Sequence, residues 1–185
     1  MKLFEKCIES ETVYKGVVTF KKDTVLLENG KTSKREYMEH PGACCVDPLD
    51  DQGNIIFVIQ FRYPFGKVFL ELPAGKLDKN EDIKTCALRE LEEETGYTSD
   101  DIKYLGKICP SIAFSNEVIH VYLAENLAEA KQCLDDDEFL EIVKIPYYEA
   151  VRLVMDNEVD DAKTTYGILK LMALVGSGEV KIKQA

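Results

Sequence analysis

In the segment 80–95, two carboxylates fall where a carboxylate is costly. Placed on a helix at about 100° per residue, Ile83, Cys86, Ala87 and Leu91 form one apolar stripe. Glu90 and Glu94 land inside that stripe, about 20° to either side of Ile83. Glu93 lies along one edge with Arg89 beside it, and Glu92 points the opposite way. Two acids in an inward sector lose hydration and repel each other. They also occupy the last turns, where the partial negative charge of a helix C-terminus opposes them. A divalent cation removes both penalties, and a few carboxylates plus water are the ligand set that Mg²⁺ or Mn²⁺ prefers. The competing interpretation is a solvated acidic face with Arg89 in an ordinary surface ion pair. For Glu92 that interpretation is adopted outright. For Glu90 and Glu94, helical geometry alone leaves the two level.

Several elements must hold such a helix in place. Asn80 is expected to cap it and Gly96 to stop it. Residues 13–20, 24–27 and 33–39 read as strands, with a tight turn at Asn29-Gly30. This first stretch has few large apolar residues, so it is expected to lie against the rest of the chain or a second copy. From Gly42 onward, residues 43–46, 55–60, 68–72, 102–108, 118–124 and 141–145 read as strands. Pro146 opens an amphipathic helix to about Met155, and residues 162–175 form another, ended by Gly176-Ser177-Gly178. Strands interleaved with helices make the chain α/β, with an N-terminal β subdomain over 1–40 and a main domain over 41–185.

The 185 residues include 23 basic and 34 acidic side chains, a net charge of −11. That sign argues against a general nucleic-acid binder, and it requires any anionic substrate to arrive with a cation. No stretch approaches the ~20 apolar residues of a membrane span. The opening MKLFEKCIES has no apolar signal core, so a cytoplasmic protein is expected. Cysteines 7, 44, 45, 86, 109 and 133 show no Cys-x-x-Cys spacing and do not cluster with His40 or His120. Reduced thiols are therefore expected rather than disulfides or zinc ligands.

Gly75, Glu81, Arg89-Glu90, Leu91, Glu93-Glu94, Gly96 and Tyr97 match every defined position of Gly-x5-Glu-x7-Arg-Glu-U-x-Glu-Glu-x-Gly-U, where U is apolar or aromatic. Seven fixed residue types would coincide by chance on the order of 10⁻⁹ times per start position. The pattern resembles the Nudix box of the Nudix hydrolases, which cleave nucleoside diphosphates linked to another moiety. Further matching pieces, Arg35 to Ala43, Gln60 to Pro64, Glu71 to Asp78, Phe114 to Glu117 and Asp160 to Thr164, resemble the ADP-ribose pyrophosphatase branch. One departure is Ser111-Ile112-Ala113, where that branch usually carries Ser-Pro-Gly, so the resemblance fixes the substrate less firmly than the chemistry.

The resemblance implies a Nudix fold, an α/β/α sandwich with a mixed sheet, and an N-terminal antiparallel subdomain that pairs across a homodimer. It implies two or three Mg²⁺ ions, with Mn²⁺ as a substitute. Glu90 and Glu94 would be the principal ligands, Glu93 would join directly or through water, and the carbonyl of Ala74 would add an oxygen. Arg89 would orient the carboxylates, and Glu81 would brace the start of the helix. The general base is expected in the loop Asp135-Asp136-Asp137-Glu138, with Glu138 favoured, Asp136 the alternative, and either able to serve as a metal ligand instead. Arg62, Glu117 and Arg35 match substrate-binding positions, with Arg35 reaching across the dimer. Adenine would stack on one of Phe4, Tyr14, Phe20 and Tyr37, among which the sequence does not choose. The implied reaction converts ADP-ribose and water to AMP and ribose 5-phosphate. The alternatives are a Nudix pyrophosphatase for NADH, a dinucleoside polyphosphate or GDP-mannose, or a nucleotide sensor without turnover. A nucleic acid or a membrane is not an expected partner.

Overall fold

The computed structural model describes residues 3–182, which divide into two compact units. Residues 1–2 and 183–185, the outer limits of the two expected domains, lie outside the described residues. The first unit is an antiparallel sheet of β1 (Glu5–Lys15), β2 (Thr19–Leu27) and β3 (Thr32–Glu39), in that order. Residues 13–20, read above as one strand, instead turn over between β1 and β2. Gly16 N donates to Val18 O at 3.0 Å, and the Tyr14 ring fills the space a Cβ on residue 16 would need. Across these three strands only Asp23 and Val25 are buried, and every residue of β1 is exposed. A boundary at residue 40 also leaves out Cys109–Val118, which belongs to this unit. That segment is sewn to β3, with Met38 N donating to Phe114 O at 2.8 Å and Asn116 N to Met38 O at 3.3 Å.

The second unit is built around a mixed four-stranded sheet, ordered β7 (Ala74–Lys76), β4 (Ala43–Pro48), β10 (Ile119–Glu125) and β9 (Asp101–Ile108). Strands β4 and β10 are parallel; the other pairs are antiparallel. Alternation along β4 sends its side chains to two cores. Cys44 and Val46 pack with Cys86, Ala87 and Leu91 of helix α1 (Ile83–Thr95). Ala43 and Cys45 face the opposite way, toward Ile168 and Leu171 of α3 (Ala162–Ser177) and Ala150 and Val154 of α2 (Tyr147–Met155). That second core also takes Ile55 and Phe57 from β5 (Asn54–Arg62), the middle strand of a second sheet between β6 (Lys67–Glu71) and β12 (Leu140–Pro146). The short strands β8 (Tyr97–Thr98) and β11 (Ala128–Glu129) pair beyond the end of α1. Helices therefore cover both faces of a mixed sheet, the α/β/α arrangement expected.

Asp47 interrupts this core. It is fully buried on the α3 side of β4, and among the described residues neither carboxylate oxygen meets a hydrogen-bond donor. A Cβ on Gly167 would lie 2.5 Å from its Oδ1, so the absent side chain at 167 makes room for the carboxyl group. Burial pushes the Asp47 carboxyl well above its ordinary range, so the folded chain holds it protonated where the unfolded chain ionises. Its unfavourable contribution grows as pH rises above about 4 toward the folded-state value. Asp47→Leu, similar in shape and without polar atoms, is expected to stabilise the fold by about 2 kcal/mol at neutral pH. Thermal melts at pH 5 and pH 8 check this: the gain over the parent chain should be larger at pH 8.

Candidate active site

The start of α1 is set by two neighbouring acids. Asp82, not Asn80, is the cap, its Oδ1 accepting from Lys84 N at 2.9 Å and Thr85 N at 3.4 Å. Asn80 takes a left-handed conformation, φ 66°, in the preceding turn. Glu81 is thereby turned back, accepting from Asp78 N at 3.0 Å. The helix ends at Gly96, whose φ of 69° lets its N–H return to Glu92 O at 2.9 Å. The following segment caps the remaining carbonyls. Gln132 Nε2 donates to Glu94 O at 2.7 Å, Cys133 N to Glu93 O at 2.9 Å and Ala130 N to Gly96 O at 2.7 Å.

Arg89 is the hub of the acids on this helix. Its Nε and Nη2 grip Glu81 at 2.9 and 3.0 Å, and its Nη1 donates to Glu90 at 2.7 Å and Glu93 at 2.8 Å. A fifth contact, Nη2 to Lys76 O at 3.1 Å, ties the guanidinium to the end of β7. The Arg89 bonds hold the Glu81 carboxyl down at about 2. The same bonds raise the guanidinium above its ordinary value. One cation thus serves three acids, and the fork of a guanidinium, rather than a lysine ammonium, meets that geometry.

Glu90 and Glu94 are buried, at 9% and 4% exposure. Burial pushes Glu90 up to about 7 against the pull of Arg89. Burial, then the Glu90 and Glu138 charges, push Glu94 up to about 8. Glu94 Oε2 accepts from Ala74 N at 3.0 Å, and β7 presents Ala74 and Gly75 opposite Cys45 and Cys44 of β4. Gly75 is where the loop touches the acid: a Cβ there would fall on the Glu90 carboxyl group. Among the described residues no three acidic, histidine or cysteine side chains are grouped so as to hold a metal ion by themselves. Two buried carboxylates with raised affinity for positive charge fit Mg²⁺ nonetheless. That ion typically takes one or two protein carboxylates and completes its shell with water and substrate phosphate. The residues therefore suit a hard divalent cation.

Glu138 is half-buried at the rim of a groove of ≈ 540 Å³ lined by Ile59, Phe61, Val68 and Phe139. Burial raises its carboxyl, with the Arg62 charge opposing and that of Glu93 assisting. Asp136 is exposed. Arg62, at the end of β5, is paired with Glu71 of β6: Nε to Oε1 at 2.6 Å and Nη2 to Oε2 at 2.7 Å. Glu71 in turn meets Lys163 of α3. The sequence places Glu71 and Lys163 within matching pieces of the resemblance but assigns neither a role. The signal was available in α3, where Lys163 falls in the same inward stripe as Thr164, Gly167, Ile168 and Leu171. Arg35 and Glu117 lie in the first unit. Arg35 Nε donates to Glu5 at 2.8 Å, and Glu117 faces His40 at 3.6 Å.

Comparison with known proteins agrees with this geometry. The model of the NUDIX domain matches residues 38–166. The chain is 46% identical over 169 residues to the ADP-ribose pyrophosphatase of Bacillus subtilis (strain 168), covering 90% of this chain and 91% of that one. It is 41% identical over 171 residues to the methanol dehydrogenase activator of Bacillus methanolicus, covering 90% and 92%. A crystal structure of an ADP compounds hydrolase superposes with a TM-score of 0.83 at 22% identity over 97% of this chain and 100% of the other, a likeness of fold. With the box residues gathered around one helix and the family model spanning most of the sequence, the chain belongs to the Nudix family.

Proposed function

We propose that this Nudix pyrophosphohydrolase cleaves the diphosphate linkage of ADP-ribose, giving AMP and ribose 5-phosphate. The observation that carries the reading is the buried pair Glu90 and Glu94 against Ala74 and Gly75 of β7, two neighbouring carboxylates that a cation bound to a diphosphate would neutralise. The relative from Bacillus subtilis supports the choice of substrate. Nudix hydrolases generally use divalent metal ions; here Glu90, Glu94, Glu93 and the Ala74 carbonyl would hold two or three Mg²⁺, or Mn²⁺ in their place, with Glu138 a further ligand only where Asp136 is the base. When bound, the ions would neutralise the diphosphate and acidify a water.

The chain's own residues do the rest. Arg89 gathers Glu90 and Glu93 around one nitrogen, Nη1, and so fixes the direction of both. Glu138 accepts the proton of the attacking water, with Asp136 the second choice, and a raised carboxyl suits that task at neutral pH. Arg62 donates to a phosphate oxygen, and Glu117 accepts from ribose hydroxyls or the adenine amino group. We assign Arg35 to the substrate of a partner copy in a homodimer. The bare β1–β3 sheet, with Ile8, Val13 and Tyr14 exposed, supports that assembly. The six free cysteines support a cytoplasmic setting. No helix among the described residues is long and apolar enough to cross a membrane.

Product analysis tests the proposal. With Mg²⁺ and ADP-ribose, AMP and ribose 5-phosphate should appear in equal amounts. Cleavage of NADH, a dinucleoside polyphosphate or GDP-mannose under conditions that leave ADP-ribose intact would reassign the substrate. No turnover of any of them would favour a sensor.

A further inference from the structure

Arg62 grips a phosphate at less entropic cost when its guanidinium is already held in one orientation, and Glu71 holds it so. Its Nε and Nη2 are both bound to Glu71, while among the described residues Nη1 has no protein partner. A planar group fixed along one edge presents its other edge in a single direction, and its rotamer entropy is lost before substrate arrives. Glu71 is well suited to be that anchor. It is 3% exposed, and such a buried carboxylate is tolerated only when its charge is met on every side. Lys163, itself 8% exposed, meets Glu71 from behind and is held in turn by Asp161 at 3.0 Å.

Asp161 caps α3, accepting from Thr164 N at 3.0 Å and from Thr164 Oγ1 at 2.6 Å. Thr164 Oγ1 then accepts from Leu72 N at 2.8 Å, the residue after Glu71. The chain of contacts closes on itself. It clamps the end of β6 to the first turn of α3, just ahead of the loop that carries Ala74.

We propose that Glu71, backed by Lys163 and the Asp161–Thr164 cap of α3, is a positioning residue that turns the free edge of Arg62 toward the substrate diphosphate. The proposal rests on the pyrophosphatase reading and on Arg62 as a phosphate contact. It assigns to the first turn of α3 a part in substrate binding, exerted through Arg62 alone.

Steady-state kinetics on Arg62→Ala, Glu71→Gln and the double variant, with ADP-ribose and Mg²⁺, test it. Arg62 binds ground and transition state alike, so each single variant should raise KM about tenfold and change kcat little. In the Arg62→Ala background, Glu71→Gln should add almost nothing, because there is no guanidinium left to turn. Lys163→Met should follow the same rule with a smaller rise. Effects that multiply in the double variant would show that Glu71 supports the fold rather than Arg62, and would overturn the proposal while leaving the Arg62 contact intact. An unchanged KM in Arg62→Ala would overturn both the contact and the positioning. Absence of ADP-ribose turnover in the parent enzyme would fail the substrate reading instead. If Glu71→Gln does not fold, Glu71→Asp replaces it. That variant keeps the charge but withdraws the carboxylate, so the same KM rise and the same lack of effect without Arg62 are required.

Discussion

Glu94→Gln should lower kcat for ADP-ribose by about 10³-fold while making the metal-free protein more stable. The two effects have one cause. Glu94 is an acid that the fold alone cannot satisfy: one oxygen accepts from Ala74 N, and the nearest charges include Glu90 and Glu138 of like sign, with Lys163 only a partial offset. Glutamine keeps the acceptor for Ala74 and discards the charge. The pH dependence follows from the same carboxyls. Glu90 and Glu94 are raised from 4.5 to about 7 and about 8, so the folded chain binds protons that the unfolded chain has already released. Their stabilising contribution is complete below about 4.5 and is lost as pH climbs through 7 and 8. In chelator the melting temperature should therefore fall between pH 5 and pH 9. Added Mg²⁺ should restore more at pH 9 than at pH 6, because a cation binds the ionised pair. In Glu94→Gln both the fall and the restoration should shrink. Melts with chelator and with Mg²⁺ across that range decide the matter, and a variant that keeps full turnover would remove Glu94 from the chemistry.

The second large effect is expected at Glu138. Glu138→Gln should reduce kcat by about 10²-fold and remove the share of the acid-side fall in rate that reports protonation of the base, leaving the share set by protonation of Glu90 and Glu94. KM should move much less than kcat, because the lost step is made only in the transition state. The partial burial of Glu138 and its raised carboxyl distinguish it from exposed Asp136. A loss confined to Asp136→Asn, with Glu138→Gln intact, would transfer the role.

The inward placement of Glu90 and Glu94 was legible because a helix converts residue number into angle with little ambiguity. The wheel put both acids in the apolar stripe, and both are buried beside Cys86, Ala87 and Leu91. The start of that helix was less legible. Asn80 and Asp82 are both good caps, and what selects Asp82 is a tertiary demand: Glu81 must lie outside the helix to reach Arg89. The turn at Gly16 was hidden by β-prone residues on both sides of it, since propensity reports extended backbone and not the direction of the chain. The Arg62–Glu71–Lys163 contacts join β5, β6 and α3, so no local window contains them. Asp47 falls just past the 43–46 run that reads as a strand, although β4 continues to Pro48. Its burial depends on Gly167, far along the chain.

The bonds from Ala130, Gln132 and Cys133 to the end of α1 have a consequence for how this protein can change length. They tie the segment as far as Cys133 to the helix that carries Glu90, Glu93 and Glu94, so the proposed proton acceptor follows closely on a fixed anchor. The five residues from Leu134 to Glu138 then act as a ruler. One inserted residue extends it by up to about 3.5 Å, more than the length of a hydrogen bond. Insertions elsewhere on the surface are cheap to accommodate; with Glu138 as the proposed base, one placed between Cys133 and Glu138 is expected to lower kcat.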